Sequence, residues 1–377
     1  MSPAEELRPA LDEIPAVDHH AHPLADPGAG HLLADVLSEA TDPAMTAAMR
    51  DHPSHHRAVR DLARFLGVEA NEGAIAELRA REGFEPFTRR LLEACGLAEM
   101  LVDDGFRFSG ALSIADHAAL VPCAVRRVLR IETTAEAAAE GWRVFATVRG
   151  RFRAMVEEAV AGGAAGLKTI AAYRCGLELP PADPDDAADA YARWVRTDTP
   201  RLTDAPLVSF FLSEALDAVR DRPVPLQVHT GFGDTDLALH RADPSLLRPL
   251  LEDERYADVP IVLLHCYPFV GQASYLASVY PNVYLDLSMA LTFAAHRGPE
   301  IVLEALDLAP ASKLLFATDA SRLPELFFLG AMWWRDALAG ALGRLIEDST
   351  IDRATALRWA ELILAGNAQR LYGPSAL

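Results

Sequence analysis

The sequence predicts an α/β fold, a (β/α)8 TIM barrel with a helical insertion between strands 1 and 2. Short apolar runs alternate with longer segments of helical periodicity along the 377 residues, a pattern typical of βα units around a parallel sheet. No linker rich in Pro, Gly and Ser divides the chain, and a barrel often uses about 250 residues or more as one unit. We therefore expect a single domain over residues 1–377.

Eight segments have the length and apolar character of buried parallel strands. The fifth reads LQVH and the sixth reads IVLLH, so a histidine closes each of these runs. The predicted strands lie at residues 14–18, 100–102, 125–131, 166–170, 226–229, 261–265, 283–287 and 314–318.

Longer segments with apolar residues at helical spacing are expected to form the outer ring of helices. They lie at residues 135–162, 186–220, 299–308 and 351–371, and either Thr350 or Asp352 is suited to cap the last one. Residues 24–98 are too long for one crossover helix and indicate several short helices. We expect this insertion to pack over one end of the barrel, as a lid or as an ordinary helical decoration.

The composition argues against several classes of partner. The net charge is -19, whereas nucleic acids and anionic membranes require a basic face. The first residues are acidic and lack the apolar core of a secretory signal, and no uncharged run is long enough to span a membrane. Cys95, Cys123, Cys175 and Cys266 show no CxxC spacing, so we expect reduced thiols in a cytoplasmic protein.

Four histidines and an aspartate form a candidate metal site. His20 and His22 in VDHHAHP are two residues apart, a spacing that places both on one side of a strand. His229, His265 and Asp319 stand at the ends of predicted strands 5, 6 and 8, and the carboxyl ends of barrel strands open onto one face. Such a set suits Zn²⁺, with Mn²⁺ and Fe²⁺ as alternatives. Taken alone, each residue could equally be a hydrogen-bonded histidine at the barrel mouth or a helix-capping aspartate.

Neighbouring polar residues receive structural interpretations. Asp103 and Asp104 end predicted strand 2, where they could hydrogen-bond the site, but we favour capping of the next helix. His19 is expected to point to the opposite side of strand 1 from His20 and His22.

Several long motifs give the sequence a family resemblance. It resembles the amidohydrolase superfamily, and within it the amidohydrolase family 2 type found as a domain of nodulin/glutamine-synthetase-like fusion proteins. The insertion at residues 24–98 matches less clearly. The matching stretches are VDHHAHP, LVDDGF, VLRIE, GLKTIAAYRCGLEL, VHTGFGDTDLALHRADPSLLRPLLED, IVLLHCYPFVGQASYLASVYPNVYLDLS, LLFATDASRLPELFFLGAMW and LAGNAQRLY.

The resemblance implies roles for the candidate ligands. His20 and His22 would bind a first metal together with Asp319, while His229 and His265 would lie beside it or bind a second metal. Asp319 and His265 are the predicted catalytic residues, with Asp319 as general base toward a metal-activated water.

The resemblance also draws attention to residues beyond the ligand set. Lys168 ends predicted strand 4, where some superfamily members carry a carboxylated lysine that bridges two metals; the alternative is a lysine paired with a substrate carboxylate or a nearby acid. Arg174, with Tyr173, suits capture of a substrate carboxylate, although pairing with a loop acid is an equal alternative. His296 and Glu325 are further candidates for substrate contact, with helix capping or a helix-start carboxylate as the structural alternatives.

The resulting functional prediction is a metal-dependent amidohydrolase that cleaves a C–N bond, for example a γ-glutamyl amide, of a small molecule. One alternative keeps the metal site but makes the protein a decarboxylase or an isomerase. A second alternative is a non-catalytic binding barrel, because a fold alone does not imply catalysis. The oligomeric state stays open, and the apolar run at residues 327–334 is compatible with either helix core or a homo-oligomer surface.

Overall fold

Eight parallel strands form one sheet whose spatial order follows the sequence from β1 to β8. This architecture confirms the predicted (β/α)8 barrel. The computed structural model describes residues 2–197 and 201–373. The strands are β1 (Ala16–Ala21), β2 (Leu97–Asp103), β3 (Ala124–Arg130), β4 (Gly166–Thr169), β5 (Leu226–His229), β6 (Ile261–Leu264), β7 (Val283–Asp286) and β8 (Leu314–Leu315).

The two ends of the sheet meet where β1 lies beside the segment that follows β8. The His19 amide donates to the Phe316 carbonyl at 3.3 Å, and the His22 amide donates to the Ala320 carbonyl at 2.8 Å. The Asp319 amide donates back to the His20 carbonyl at 2.9 Å. These bonds close the barrel at the level where the candidate ligands lie.

Strand β8 is shorter than predicted, ending at Leu315 instead of residue 318. Beyond it, the Phe316 amide bonds to Ile363 in the C-terminal region, and Thr318 bonds to Asp18 of β1. The backbone groups that would have continued the ladder with β7 are therefore used elsewhere.

In the described part of the chain, six α-helices precede β2, one before β1 and five in the long segment between β1 and β2. Ser54 and Arg57 bond to carbonyls of Phe293 and Ala295 in the region that follows β7, which fixes part of this segment to the barrel. The helices are α1 (Pro3–Asp12), α2 (Leu33–Val36), α3 (Pro43–Ala48), α4 (Pro53–Leu66), α5 (Glu72–Glu82) and α6 (Phe84–Ala94).

The remaining helices follow β2 along the chain. In the part of the chain that the structure describes, no helix combines the length and apolarity needed to cross a membrane. The helices are α7 (Ile114–Leu120), α8 (Ile131–Ala139), α9 (Phe145–Ala161), α10 (Ala171–Arg174), α11 (Pro184–Trp194), α12 (Ala205–Ala218), α13 (Arg248–Leu251), α14 (Val270–Val279), α15 (Ser288–Phe293), α16 (Gly298–Leu306), α17 (Pro324–Glu347), α18 (Arg353–Glu361) and α19 (Asn367–Tyr372).

Two predicted helices are each two helices in the structure. The segment 135–162 divides between α8 and α9, where Gly141 takes a φ of +75° that a regular helix does not allow. The segment 186–220 divides between α11 and α12, and residues 198–200 of that prediction lie outside the described residues. Asp352 caps α18 by accepting from the Thr355 amide, and a π-helical turn, Leu362–Gly366, joins α18 to α19.

A small apolar cluster fills the barrel and is separate from the main core. Its strand members include Val17, Leu101 and Val262, and it also contains Ala368 and Tyr372 of α19. The C-terminal helix therefore closes the interior on the side away from the strand ends that carry the candidate ligands.

Candidate metal centre

The candidate ligands lie at one cavity of about 920 Å³ at the carboxyl ends of the strands. His22, Lys168, His229, His265 and Asp319 line it. Residues of the segment between β1 and β2 supply another part of the wall, namely His31, Leu32, Asp35, Val36, Ser38, Glu39, Ala40, Thr41, Pro43, Thr46, Ala47 and Arg50. Strand ends and insertion thus enclose a space of the size that holds a small molecule.

His20 is held in one tautomer by the side chain of Gln227. The Gln227 amide nitrogen donates to the His19 carbonyl at 2.7 Å, so its oxygen faces His20 Nδ1 at 2.8 Å. This oxygen accepts the Nδ1 hydrogen, which leaves Nε2 of His20 unprotonated. That nitrogen lies 3.2 Å from Asp319 Oδ1.

His22 is fixed in the same tautomer by backbone at the end of β2. Its Nδ1 donates to the Asp103 carbonyl at 2.8 Å, so its Nε2 is also an acceptor, 3.3 Å from Asp319 Oδ1. The Asp103 carboxylate itself accepts from Arg130 and from the Gly105 amide. The expectation that Asp103 caps the next helix is therefore wrong, because Ser113 caps α7 and Asp103 instead holds the end of β2 in place.

The Asp319 carboxylate is the point on which these groups converge. Its Oδ1 is buried and has no hydrogen-bond donor among the described residues. Unprotonated nitrogens of His20 and His22 face the same oxygen, so no hydrogen lies between Oδ1 and either ring, although the amine of Lys168 can donate to His20 Nε2 from 3.3 Å. A cation satisfies such a set, and imidazole nitrogen with carboxylate oxygen matches the donor types of zinc.

His265 joins this group through a chain of hydrogen bonds from β7. Ser288 donates its hydroxyl hydrogen to Asp286 at 2.7 Å and accepts the Nδ1 hydrogen of His265 at 2.7 Å. The same His265 Nδ1 lies 3.9 Å from Asp319 Oδ2. His20, His265 and Asp319 form one close set of potential ligand atoms, and His20, His22 and Asp103 form an overlapping one.

His229 lies at the edge of the cluster. Its ring centroid is 4.6 Å from that of His265, but its Nε2 is 3.2 Å from the Phe232 carbonyl, to which it can donate. Gly231 allows the chain to turn here, because a Cβ at its φ of +78° would lie 2.2 Å from the Tyr267 carbonyl oxygen. Among the described residues, His229 belongs to neither of the two close sets.

The electrostatic environment keeps His20, His229 and His265 neutral. Burial lowers the pKa of His20 to about 3 and that of His265 to about 4, and it holds the pKa of His229 well below its usual value. Neutral imidazoles beside an ionised carboxylate are the states that a metal ion requires.

Lys168 projects into the same cluster from β4. Its side chain is 1% exposed, and its Nζ lies 3.3 Å from His20 Nε2. Burial lowers the pKa of Lys168 to about 8, which makes the uncharged amine accessible near neutral pH. The uncharged amine is the form that reacts with carbon dioxide to give a carbamate.

The four predicted substrate contacts separate into two groups. Tyr173 and Arg174 line the cavity, and the Tyr173 ring packs 4.6 Å from that of His229. Arg174 forms an ion pair with Glu136 at 2.9 Å, so its charge is already matched by a loop acid, the alternative considered for it. His296 and Glu325 are not among the cavity-lining residues, and Glu325 is fully buried in an ion pair with Arg79. We therefore leave both out of the proposed site.

Gln227, Ser288 and Asp286 orient the candidate ligands, and sequence reasoning did not identify them. Gln227 could have been found, because it precedes His229 by two residues in β5 and shares its side of the strand. His19 also contacts Gln227 and pairs with Asp286 at 3.0 Å, so it does not point away from the site as expected. The register of β1 shifts between Asp18 and Ala21, which interrupts the alternation on which that expectation relied.

Comparisons with known proteins cover nearly the whole chain. The profile of the amidohydrolase family matches residues 17–373. Protein fluG of Emericella nidulans is 30% identical in an alignment of 415 positions that covers 99% of this chain and 47% of the relative. The chain therefore spans about half the length of the curated relative that it matches.

Solved structures show the same similarity in three dimensions. A structure described as a metal-dependent hydrolase of Lactobacillus casei superposes with a TM-score of 0.87, at 30% identity over 97% of each chain. A uronate isomerase of Thermotoga maritima superposes with a TM-score of 0.67, at 14% identity over 99% of this chain and 98% of its own. The latter identity is low enough that it shows a shared fold only.

Proposed function

The chain belongs to the amidohydrolase family, and from this premise we propose that it is a zinc-dependent hydrolase that cleaves a C–N bond of a small amide. The proposed ligands are His20, His22, His265 and Asp319, with His229 at the side of the cluster. The similarity to the protein of Lactobacillus casei, described as a metal-dependent hydrolase, supports the reaction class.

The observation that carries this proposal is the contact of Asp319 Oδ1 with two unprotonated imidazole nitrogens at 3.2 and 3.3 Å. Lone pairs that face one another repel unless a cation lies between them. Hydrogen bonds to Gln227 and to the Asp103 carbonyl hold both rings in this orientation. Such partners are typical of histidines that bind a metal, because they keep the ligand nitrogen unprotonated and directed at the ion.

A divalent ion bound here supplies Lewis-acid chemistry, because it polarises a carbonyl group and makes a water molecule more acidic. Asp319 is ionised at neutral pH and is the proposed general base, which accepts a proton at Oδ2 and returns it to the leaving nitrogen. His265 stands beside that oxygen. Its Nδ1 donates to Ser288, which in turn donates to Asp286, and these hydrogen bonds keep the ring in place. Tyr173 closes the side of the cavity next to His229.

A γ-glutamyl amide is the first substrate class to test. The cavity of about 920 Å³ accommodates a small amide but not a folded polypeptide. The cytoplasm is the proposed location, because the described cysteines are all free. Burial raises the pKa of Cys175 and of Cys123 to about 12, which makes these two thiols unreactive.

The direct test compares zinc-loaded and chelator-stripped protein in the release of p-nitroaniline from γ-glutamyl-p-nitroanilide and related anilides. We expect turnover only with metal, and a loss on the order of 10²–10⁴-fold in kcat for Asp319→Asn, because the general base is lost. Asp258→Asn, at an exposed carboxylate that does not line the cavity, is the matched control and should leave kcat within about twofold.

Three results would refute this function. Activity that survives complete removal of divalent ions would exclude the metal mechanism. Release of carbon dioxide without amine would indicate a decarboxylase, and a fully zinc-loaded protein that is inert toward the whole anilide panel would indicate a binding barrel.

The number of bound ions depends on whether Lys168 is carboxylated. Metal analysis gives the number of ions, and mass measurement shows the state of the lysine. We propose that Lys168 is carboxylated and bridges two ions, which predicts about two equivalents of zinc per chain. The uncharged amine made accessible by burial supports this proposal. One equivalent of zinc in fully active protein, with an unmodified lysine in its peptide mass, would contradict it and leave Lys168 as a partner of the substrate.

A further inference from the structure

Arg322 enters the cavity three residues after Asp319, on a backbone that is held in an unusual conformation. Its φ is +65°, a region that side-chain-bearing residues seldom adopt. Two hydrogen bonds hold it there: the Arg322 amide donates to the Pro23 carbonyl at 3.0 Å, and the Ala25 amide donates to the Arg322 carbonyl at 2.8 Å. Such backbone strain concentrates at functional sites.

The guanidinium of Arg322 is held by two aromatic rings. Its Cζ lies 5.1 Å from the ring centroid of Phe106 and 5.1 Å from that of Phe108. The Phe106 ring also packs against the ring of His22, with centroids 5.0 Å apart. Arg322 and a proposed metal ligand therefore contact the same phenyl group, which places them within the reach of one small molecule.

The other arginines that face this cavity mostly have carboxylate partners. Arg50 pairs with Glu72, Arg130 with Asp103, Arg174 with Glu136 and Arg201 with Asp236. The exposed Arg107 stands at the cavity rim. Arg322 is partly buried, yet its guanidinium makes no ion pair or hydrogen bond within residues 2–197 and 201–373.

The nearest acidic groups leave the guanidinium available. Asp35 accepts a hydrogen bond from the Leu32 amide at 2.9 Å. Burial raises the pKa of Glu39 to about 7, so this carboxyl group carries only part of its charge at neutral pH. Glu39 and Asp35 do favour the charged form of Arg322 from a distance, but burial outweighs them and lowers the pKa of Arg322.

We propose that Arg322 binds a carboxylate group of the substrate. A guanidinium presents two parallel N–H donors that match a carboxylate, and the contacts of Arg322 with the Phe106 and Phe108 rings leave these donors without a hydrogen-bond partner among the described residues. The substrate class is then an amide that carries a carboxylate a few bonds from the C–N bond at Asp319. This inference rests on the proposed function, and it assigns to Arg322 the role that the sequence suggested for Arg174.

The test measures binding of two probes to zinc-loaded protein by isothermal titration calorimetry. Glutarate carries two carboxylates, and glutaramide is its neutral diamide of similar shape. We expect the wild type to prefer glutarate, and Arg322→Gln to weaken glutarate binding at least tenfold with less than a twofold change for glutaramide. Arg322→Lys should lie between them, because an ammonium group lacks the paired donors.

Arg107→Gln is the matched control, since it removes the same charge from the same cavity. It should weaken glutarate binding less than threefold. The proposal fails if the wild type shows no preference for glutarate, if Arg107→Gln and Arg322→Gln have equal effects, or if Arg322→Gln weakens both probes equally. Zinc content is measured in parallel, and if Arg322→Gln loses zinc, the comparison is made with Arg322→Lys.

The outcome is separate from that of the hydrolase proposal. Arg322-dependent glutarate binding without turnover of any anilide would support the carboxylate site and contradict hydrolysis. Turnover with no dependence of glutarate binding on Arg322 would support hydrolysis and contradict the carboxylate site.

Discussion

Single hydrogen-bond acceptors decide which nitrogen of His20, His22 and His265 is free for a metal. Gln227 fixes His20, the Asp103 carbonyl fixes His22, and Ser288 fixes His265. These partners do not themselves need to touch an ion. Their effect is to hold each ring in the required tautomer and orientation before any ion binds, which reduces the entropy lost on binding.

Replacement of Gln227 by leucine therefore tests this orientation. We expect Gln227→Leu to weaken zinc affinity by about 10–100-fold, because His20 loses the acceptor that fixes its Nδ1 hydrogen. Competition with a chromogenic chelator measures the affinity. Gln272→Leu, at an exposed position of α14, is the control. Equal affinities for the wild type and a folded Gln227→Leu protein would show that the hydrogen bond is dispensable.

At the scale of elements, the ends of β6 and β8 are the strained parts of the barrel. His265, Cys266 and Asp319 all have positive φ values, between 52° and 67°. Each such residue costs about 1–3 kcal/mol, so the surrounding packing must hold it in place. The strain turns the chain at the strand end and directs the His265 and Asp319 side chains toward the cavity.

A buried ion pair joins the segment between β1 and β2 to the barrel. Arg79 of α5 meets Glu325 at the start of α17, and the glutamate is fully buried. Burial raises the pKa of Glu325, which shows that its charge depends on this arginine for compensation. The pair thus connects the segment between β1 and β2 to the helix that follows Asp319.

Loss of Arg79 alone should cost more than loss of the whole pair. We expect Arg79→Leu to lower the free energy of unfolding by about 3–5 kcal/mol, because it leaves an unpaired buried carboxylate. The double variant Arg79→Leu with Glu325→Leu should recover part of this loss. Urea unfolding measures both, with Arg153→Leu of the exposed Arg153–Glu157 pair as a control worth about 0–1 kcal/mol. A double variant that is less stable than Arg79→Leu would contradict this account.

At the scale of the whole molecule, stability depends on histidines that are buried in the neutral form. His117 of α7 is one that lies outside the candidate centre. Its Nδ1 accepts from the Leu24 amide at 3.1 Å, and burial lowers its pKa to about 4. In the unfolded chain its pKa is about 6.5, so between pH 6.5 and pH 4 the unfolded state binds the extra proton. The stability contribution of His117 is therefore present above pH 6.5 and is lost as the pH falls.

The lowered pKa of His117 predicts how the free energy of unfolding changes in acid. Between pH 7 and pH 5, the wild type should lose about 2 kcal/mol more of its free energy of unfolding than His117→Asn, whose amide oxygen can still accept from Leu24. Urea unfolding in the presence of chelator removes zinc as a variable. His240→Asn, at an exposed position, should keep the wild-type pH dependence. Parallel pH dependences for the wild type and His117→Asn would overturn the assignment.

The sequence by itself determined the barrel and the main residues of its candidate centre. Apolar runs of strand length, separated by helical periodicity, predicted all eight strands, although β8 proved shorter. The positions of His20, His22, His265 and Asp319 at or beside strand ends followed from the same pattern. Such features are local, because strand and helix periodicities are properties of consecutive residues.

Only the tertiary structure decided how these residues are paired. His20 and Gln227 are 207 positions apart, and no periodicity connects them. Arg174 and Arg322 both follow a predicted strand, and the sequence does not show which of them is paired. In the structure Glu136 forms an ion pair with Arg174, whereas Arg322 packs against two phenyl rings. Partner choice depends on which distant groups packing brings within hydrogen-bond distance, and that geometry exists only once the barrel has closed.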